Sequence, residues 1–117
     1  MSNPVAPRLG VVWDVEFDPV IDHQQGGRRP ALVISNDRFN GIPHGLCIVV
    51  PITSRLCGIP SHVELAPTES GLSKISVAMC EQVKSLSVLR LRKKRGTVPT
   101  EAVAHIQATV SRFIDLA

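Results

Sequence analysis

The chain has 117 residues, a length that suits one domain with its own hydrophobic core. Apolar residues make up 44% of the sequence and charged residues 20%, as is ordinary for a soluble globular protein. The longest apolar run, residues 46–52, is far too short to cross a membrane, and residues 1–8 lack the apolar core of an export signal.

The charge and the cysteines narrow the class of protein further. A net charge of +3 and a pI of about 9.1 are compatible with a polyanionic partner but do not establish one. With one Trp, three Phe and no Tyr, a nucleic-acid surface here would depend on charged and polar contacts more than on stacking. The three cysteines have no metal-like spacing, so we expect reduced thiols in a cytoplasmic protein, with Cys47 and Cys80 in the core.

The first predicted element is a strand over residues 9–17, in which apolar and polar residues alternate. Trp13, Val15 and Phe17 fall on one face, which is the period of a half-buried strand. A polar loop follows, and residues 24–30 then read Gln-Gln-Gly-Gly-Arg-Arg-Pro. The two glycines allow a tight turn with little steric strain, and Pro30 biases Arg29 toward an extended conformation. Residues 29–35 are apolar on both faces, so they predict a central strand.

The middle of the chain predicts further short strands separated by turns. Residues 36–40 indicate a helical turn capped by Asn36 or Ser35. A third strand spans residues 47–53, and Pro51 implies that this strand lacks ladder partners or bulges there. A short strand is expected at 62–65, a flexible connection at 67–74, and one or two strands at 76–86 with Val77 and Met79 turned inward.

The last part of the chain combines a basic segment with a helix. Residues 90–96 predict a basic turn, and a helix begins near Pro99 and continues to about residue 116. Its apolar stripe consists of Val103, Ile106, Val110, Phe113 and Ile114. Many short strands followed by one helix favour a mainly β fold, a small twisted antiparallel barrel or sheet. We expect a single domain over residues 1–117, in which residues 1–8 form a flexible tail.

Two residues stand out as candidates for chemistry, because each lies at the end of a proline-stiffened strand. If the two strands pair, the guanidinium of Arg29 and the hydroxyl of Thr53 converge on one shallow site. Such a pair suits a phosphate, since one group neutralises charge and the other donates a directed hydrogen bond. The sequence has no paired Asp/Glu cluster, no P-loop, no HExxH and no Gly-x-Ser-x-Gly elbow. Taken alone, these residues make a weak case for a metal-independent phosphodiester site.

Four motifs together resemble the MazF/PemK family of toxin–antitoxin toxins. They are residues 10–13 (GVVW), 25–36 (QGGRRPALVISN), 51–54 (PITS) and 81–86 (EQVKSL). Their order and spacing fit the family from about residue 10 to the C-terminal helix. The resemblance implies an SH3-like, plasmid-maintenance-toxin (CcdB/PemK/MazF-like) barrel with a C-terminal helix, working as a homodimer. It also implies a sequence-specific endoribonuclease that cuts single-stranded RNA without metal or cofactor. A cognate antitoxin would place a flexible segment in the RNA groove.

The resemblance also implies roles for single residues. Arg29 and Thr53 occupy the family's two catalytic positions. The candidates for RNA binding are His23, Gln24, Gln25, Arg28, Ser54 and Arg55. Many relatives carry Glu at the position of Gln24, which can hydrogen-bond but cannot accept a proton at neutral pH. The general base is therefore open, with His23 as the neighbouring candidate.

For the remaining polar residues the sequence indicates mainly structural roles. Glu81 and Gln82 match an acidic-Gln pair of the family, and we expect Glu81 to hydrogen-bond within the barrel. His44, His62 and His105 have no predicted constellation around them. The basic segment 90–95 either steers RNA or forms a solvated hairpin, and Arg38 is a weaker candidate of the same kind.

The expected reaction is attack of an RNA 2′-hydroxyl on its adjacent phosphorus, so DNA would be bound but not cut. Two alternatives remain open. One is a non-catalytic poison of the same fold group that blocks a topoisomerase such as gyrase. The other is a degenerate barrel that only binds RNA or an antitoxin. The recognised RNA sequence would depend on the loops around residues 18–24 and 56–61.

Overall fold

The structure is a computed structural model that describes residues 6–17 and 27–116. The strands in these parts are β1 Val11–Glu16, β2 Arg28–Val33, β3 Leu46–Thr53, β4 His62–Leu65, β5 Ser76–Met79, β6 Lys84–Ser87 and β7 Leu91–Thr97. The helices there are α1 Asp37–Asn40, α2 Pro67–Ser70 and α3 Thr100–Phe113, with single 3-10 turns at Cys80–Gln82 and Val88–Arg90. None of these helices is long and apolar enough to cross a membrane.

The strands form one sheet in the order β4-β5-β3-β2-β1-β7, and β6 pairs with β3 beside this path. Every strand pair in the described residues is antiparallel. β3 is the branching strand, because residues 46–49 pair with β6 whereas residues 52–53 pair with β5. The predicted mainly β fold with a C-terminal helix is confirmed.

A hydrophobic cluster lies on each side of the sheet. The first contains Val12, Leu32, Ile34, Val50, Ile52, Val63, Leu65, Ala78, Cys80, Val98, Val103 and Ile106. The second contains Val15, Ala31, Val33, Cys47, Val49 and Leu86, with Trp13 and Phe17 packed against it. Because neighbouring residues of β2 enter opposite clusters, this strand is covered on both faces, and the prediction of a central strand is confirmed.

Helix α3 covers the first cluster. Val103 and Ile106 are buried, and the side-chain amide of Gln107 donates to the carbonyl oxygen of Ile34 at 3.0 Å. The predicted apolar stripe extended further, but Phe113 is 48% exposed and Ile114 80% exposed. The prediction was wrong there because helical spacing indicates a shared face, but not where the cluster beneath that face ends.

The connection from β2 to β3 is held by polar side chains of the 25–36 motif. Asn36 caps α1, since its side-chain oxygen accepts a hydrogen bond from the N–H of Phe39 at 2.8 Å. Ser35 is buried, where its hydroxyl donates to Asn40 and accepts from the N–H of Ile48. The amide of Asn40 in turn donates to the Ser35 carbonyl oxygen. These residues therefore stabilise the fold.

Most of the basic segment 90–96 is a strand rather than the predicted turn. Residues 91–96 form most of β7, which pairs with β1, whereas Arg90 ends the preceding 3-10 turn. Arg92 pairs with Glu16 at 2.8 Å, and Arg95 pairs with Asp14 at 3.2 Å. The sequence shows a run of like charges but not the carboxylates on the neighbouring strand that balance them. Cations on an edge strand also disfavour pairing with another sheet.

The connection predicted as flexible at residues 67–74 begins with helix α2. Pro67 starts this helix, and the buried Ser70 donates its hydroxyl to the Ala66 carbonyl oxygen at 3.0 Å. Proline is favoured in the first helical turn, because the missing N–H has no partner there in any case. The prediction was wrong for this half of the segment.

Helix α2 and strand β7 cross with their backbones in close contact, and a glycine lies on each side. A Cβ atom at Gly96 would lie 2.8 Å from the carbonyl carbon of Ser70, and a Cβ atom at Gly71 would overlap the carbonyl oxygen of Arg95. Gly71 also has φ +75°, which side chains rarely adopt. Only residues without a side chain fit this crossing.

We predict that Gly71→Ala lowers the free energy of unfolding by about 2–4 kcal/mol, from overpacking plus backbone strain. Gly45→Ala is the matched control, because Gly45 has φ +71° but open space around it. It should cost only about 1–2 kcal/mol. Urea denaturation measures both values, and equal losses would contradict the proposed close crossing.

We predict that alkylation of the native protein modifies Cys57 alone. Cys57 is exposed, whereas Cys47 and Cys80 are buried. Burial raises the pKa of each buried thiol to about 11, and for Cys80 the charge of Glu81 adds to this effect. Since only the thiolate reacts, iodoacetamide at neutral pH should add one group, as read by intact mass, and three after denaturation. Two or three groups on the native protein would contradict the packing described here.

Candidate functional site

The site lies where the ladder between β2 and β3 ends. The last paired residues are Ala31 and Pro51. The next residue of β2 is Pro30, which has no N–H to donate, so the ladder stops between two prolines. Continuing the register by two residues places Arg29 opposite Thr53. β3 pairs with β5 from residue 52 onward, and the resulting space beside β2 forms a depression.

Three adjoining depressions share Arg29, and we call them together the groove. The first, of about 360 Å³, includes Pro30, Thr53, Lys74 and Arg95 in its wall. The second, of about 380 Å³, is lined by Phe17, Arg29, Pro51, Gln82 and Lys84. The third, of about 640 Å³, is lined by Arg29, Thr53, Ser54, Arg55, Cys57, Ile59, His62, Met79, Glu81 and Gln82. Arg29 and Thr53 thus face a common groove, as the sequence predicted.

The groove carries positive charge. Its described lining contains five cationic side chains and one carboxylate, that of Glu81. The cations are Arg29, Arg55, Lys74, Lys84 and Arg95. Only Arg95 among them makes an ion pair within the described parts of the chain. A concave surface with unpaired cations attracts a polyanion.

Thr53 is held in one orientation by the loop that follows it. Its hydroxyl oxygen accepts a hydrogen bond from the backbone N–H of Arg55 at 3.1 Å. This contact uses a lone pair and leaves the hydroxyl hydrogen available to donate into the groove. Arg29 is exposed and makes no ion pair with any described residue. Both groups are therefore free to contact a phosphate.

Of the other predicted RNA-binding residues, some line the groove and others do not. Ser54 and Arg55 line the groove. Arg28 is exposed at the start of β2 but is not in the lining of the three depressions. His23, Gln24 and Gln25 lie outside the described residues.

Glu81 is the centre of a hydrogen-bonded network on the groove wall. Its two carboxylate oxygens are contacted by the Ser61 hydroxyl at 2.6 Å and by Nε2 of His62 at 3.0 Å. Burial alone would raise the pKa of Glu81, but hydrogen bonds from Ser61, from its own backbone and from His62 outweigh this and lower its pKa. The expectation that His62 has no constellation around it is wrong. Strand β4 brings it to a carboxylate 19 residues further along the chain.

Sequence reasoning missed several residues of the groove. Lys84 stands over the ring of Phe17 at 5.2 Å, a cation–π contact between β6 and the end of β1. Lys74 enters from the segment after α2. Lys84 belongs to the 81–86 motif, but neither lysine could be assigned to the groove from the sequence, because each reaches it only through the folding of the sheet. The described parts of the chain contain no group of three or more His, Cys, Asp or Glu residues that could hold a metal ion.

Known proteins share both the sequence pattern and the fold of this chain. Residues 8–114 match the model of the PemK-like, MazF-like toxins of type II toxin–antitoxin systems. Endoribonuclease toxin MazF of Escherichia coli is 36% identical over 116 residues, which are 97% of this chain and 99% of the relative. Endoribonuclease MazF9 of Mycobacterium tuberculosis is 33% identical over 114 residues, covering 93% and 97% of the two chains.

Among solved structures, a MazE-MazF crystal structure from Deinococcus radiodurans contains a chain with the same architecture. The two chains superpose with a TM-score of 0.81 at 30% identity, over 97% of this chain and 100% of the other. A MazF crystal structure from the same organism gives a TM-score of 0.78 at 30% identity, over 95% and 98%. The family match over residues 8–114, together with the similar relatives and structures, shows that this chain belongs to the PemK-like, MazF-like toxins of type II toxin–antitoxin systems.

Proposed function

We propose that this protein is the toxin of a type II toxin–antitoxin system and that it inhibits translation by cutting single-stranded mRNA at specific sequences. Membership of the family and the endoribonuclease names of its relatives support this activity. The observation that carries it is the shared groove of Arg29 and Thr53, at the point where two strands separate between prolines. Because the proposed substrate is mRNA, we also propose that the protein acts in the cytoplasm.

The groove can promote cleavage through the RNA's own 2′-hydroxyl. This hydroxyl loses its proton to water, its oxygen bonds to the adjacent phosphorus, and the bond from phosphorus to the 5′-oxygen breaks. The leaving 5′-oxygen takes a proton from water. The products are a cyclic 2′,3′-phosphate and a 5′-hydroxyl, and no metal ion or cofactor enters the step.

Arg29 and Thr53 have complementary roles in this step. The guanidinium of Arg29 neutralises the charge that develops on the phosphoryl oxygens, and its planar fork fits two of them at once. The hydroxyl of Thr53 donates to a phosphoryl oxygen, and the N–H of Arg55 keeps it oriented. Preorganised donors of this kind stabilise a transition state because they need no rearrangement during the reaction.

The partners follow from the same surface. An antitoxin segment with acidic residues would compete with RNA for the cationic groove, and MazE-MazF crystal structures exist for a relative. We also propose a homodimer, for which the exposed apolar end of α3, with Phe113 and Ile114, offers contact surface.

We predict that Arg29→Ala and Thr53→Val each reduce cleavage of a long RNA in EDTA by about 100-fold or more, the usual cost of losing one transition-state donor. The control is Arg38→Ala, because Arg38 is exposed on α1 and does not line the groove. Melting curves establish that the variants fold.

A substrate with a single 2′-deoxynucleotide at the cut should be bound but remain intact. Full activity of Arg29→Ala would refute the proposed site. RNA retained by the wild type without any products would instead indicate a binding module.

We predict that Lys74→Ala weakens RNA binding and reduces the slope of log Kd against log salt by about 0.7, the value for one phosphate contact on a single strand. Lys94→Ala is the matched control, because Lys94 is exposed on β7 outside the lining of the groove. Binding is measured on an RNA with the 2′-deoxy block. An equal change in both variants would show that the edge strand β7 contacts RNA as well.

A further inference from the structure

The single carboxylate in the described lining of the groove is in an unexpected place. Glu81 lies in the same depression as Arg29 and Arg55, where the proposed substrate brings phosphates. A carboxylate repels a phosphate, so Glu81 weakens backbone binding there. Its contacts also make it a poor proton acceptor, since the hydrogen bonds it receives lower its pKa. These two facts disfavour a role toward the phosphate or as a general base.

The histidine of the Glu81 network is enclosed by the protein. The side chain of His62 is 94% buried, because 6% of it is exposed, whereas 38% of the Glu81 side chain is exposed. A carboxylate only accepts hydrogen bonds, so Nε2 of His62 must donate to it. Nδ1 of His62 is buried without a partner among the described residues. Retaining an unpartnered polar atom has a cost, which suggests that the imidazole is there to hold Glu81.

The carboxylate of Glu81 can still accept from a donor on a nucleobase. Ser61, His62 and the backbone of Glu81 use three of its roughly four lone-pair sites, which leaves one able to accept again. Carboxylates accept from the amino groups of bases, and the bases of single-stranded RNA expose these edges. Uracil has no amino group, and its one N–H lies between two carbonyl oxygens that repel a carboxylate. Gln82 lies next to Glu81 in the same wall and adds an amide to it.

We propose that Glu81, positioned by Ser61 and His62, accepts a hydrogen bond from the amino group of a base beside the scissile phosphate and so helps to determine which sequence is cut. This inference rests on the proposed endoribonuclease function. Arg29 and Thr53 hold the phosphate, while the Glu81 network reads the neighbouring base. Ser61 and His62 are positioning residues, because they act through the carboxylate.

The test starts by mapping the cut sites of the wild type in a long RNA and finding the flanking position that requires an amino base. Short RNAs then carry either the natural base or an analogue without its amino group, such as purine riboside for adenosine or inosine for guanosine. We expect the analogue to lower kcat/KM of the wild type about tenfold. In Glu81→Leu, which has no acceptor, the analogue and the natural base should be cut at nearly equal rates.

The positioning residues have their own readout. His62→Gln retains a donor that can reach Glu81 and should keep part of the preference for the amino base. His62→Phe retains a ring but has no donor, and it should lose that preference while still cutting RNA. A merely structural role would lower the rate on both substrates equally and leave their ratio unchanged.

The outcomes separate the two proposals. No cleavage by the wild type would overturn the endoribonuclease function and this inference together. Cleavage with an unchanged base preference in Glu81→Leu would overturn the inference alone. If Glu81→Leu does not fold, the analogues decide with the wild type by themselves: equal cutting of the natural base and its analogue at every flanking position would refute base reading by Glu81.

Discussion

The rest of the structure depends on how the ladder between β2 and β3 ends. Pro30 has no N–H to donate, and Pro51 forms the last pair with Ala31. Beyond them β3 turns to a different partner, β5, so two adjacent strand ends separate while the paired parts of both strands, residues 31–33 and 49–51, stay buried. This separation creates a cleft whose two walls carry Arg29 and Thr53. The site thus lies at the ends of the two most central strands, whose packing fixes the backbone positions of Arg29 and Thr53.

The charges of the molecule are divided between two tasks. On the edge strand β7, Arg92 and Arg95 are balanced by carboxylates of β1, so they protect the sheet edge and stabilise strand pairing. In the groove, Arg29 and Lys74 have no such partners in the described residues, so their field is available to a ligand. Although the net charge is only +3, four of the five cations in the groove have no ion-pair partner among the described residues.

The sequence predicted the fold and the proximity of Arg29 and Thr53 well, but it left out contacts between distant segments. Alternation and proline positions located the central strands, and the pairing of those strands brought Arg29 to Thr53. No local pattern indicated that β4 would bring His62 to Glu81, because that contact joins residues 19 positions apart. The basic segment of β7 was misread for the same reason, since its carboxylate partners lie more than 70 residues earlier.

The position of Arg29 at the junction of three depressions has a consequence for control of the toxin. Every depression has this guanidinium in its wall, so an inhibitor does not need to cover the whole binding surface. A short peptide seated in any one of them already occludes the residue that we propose contacts the scissile phosphate. An inhibitor with a small contact area can therefore neutralise the toxin, and different inhibitors can cover Arg29 from different depressions.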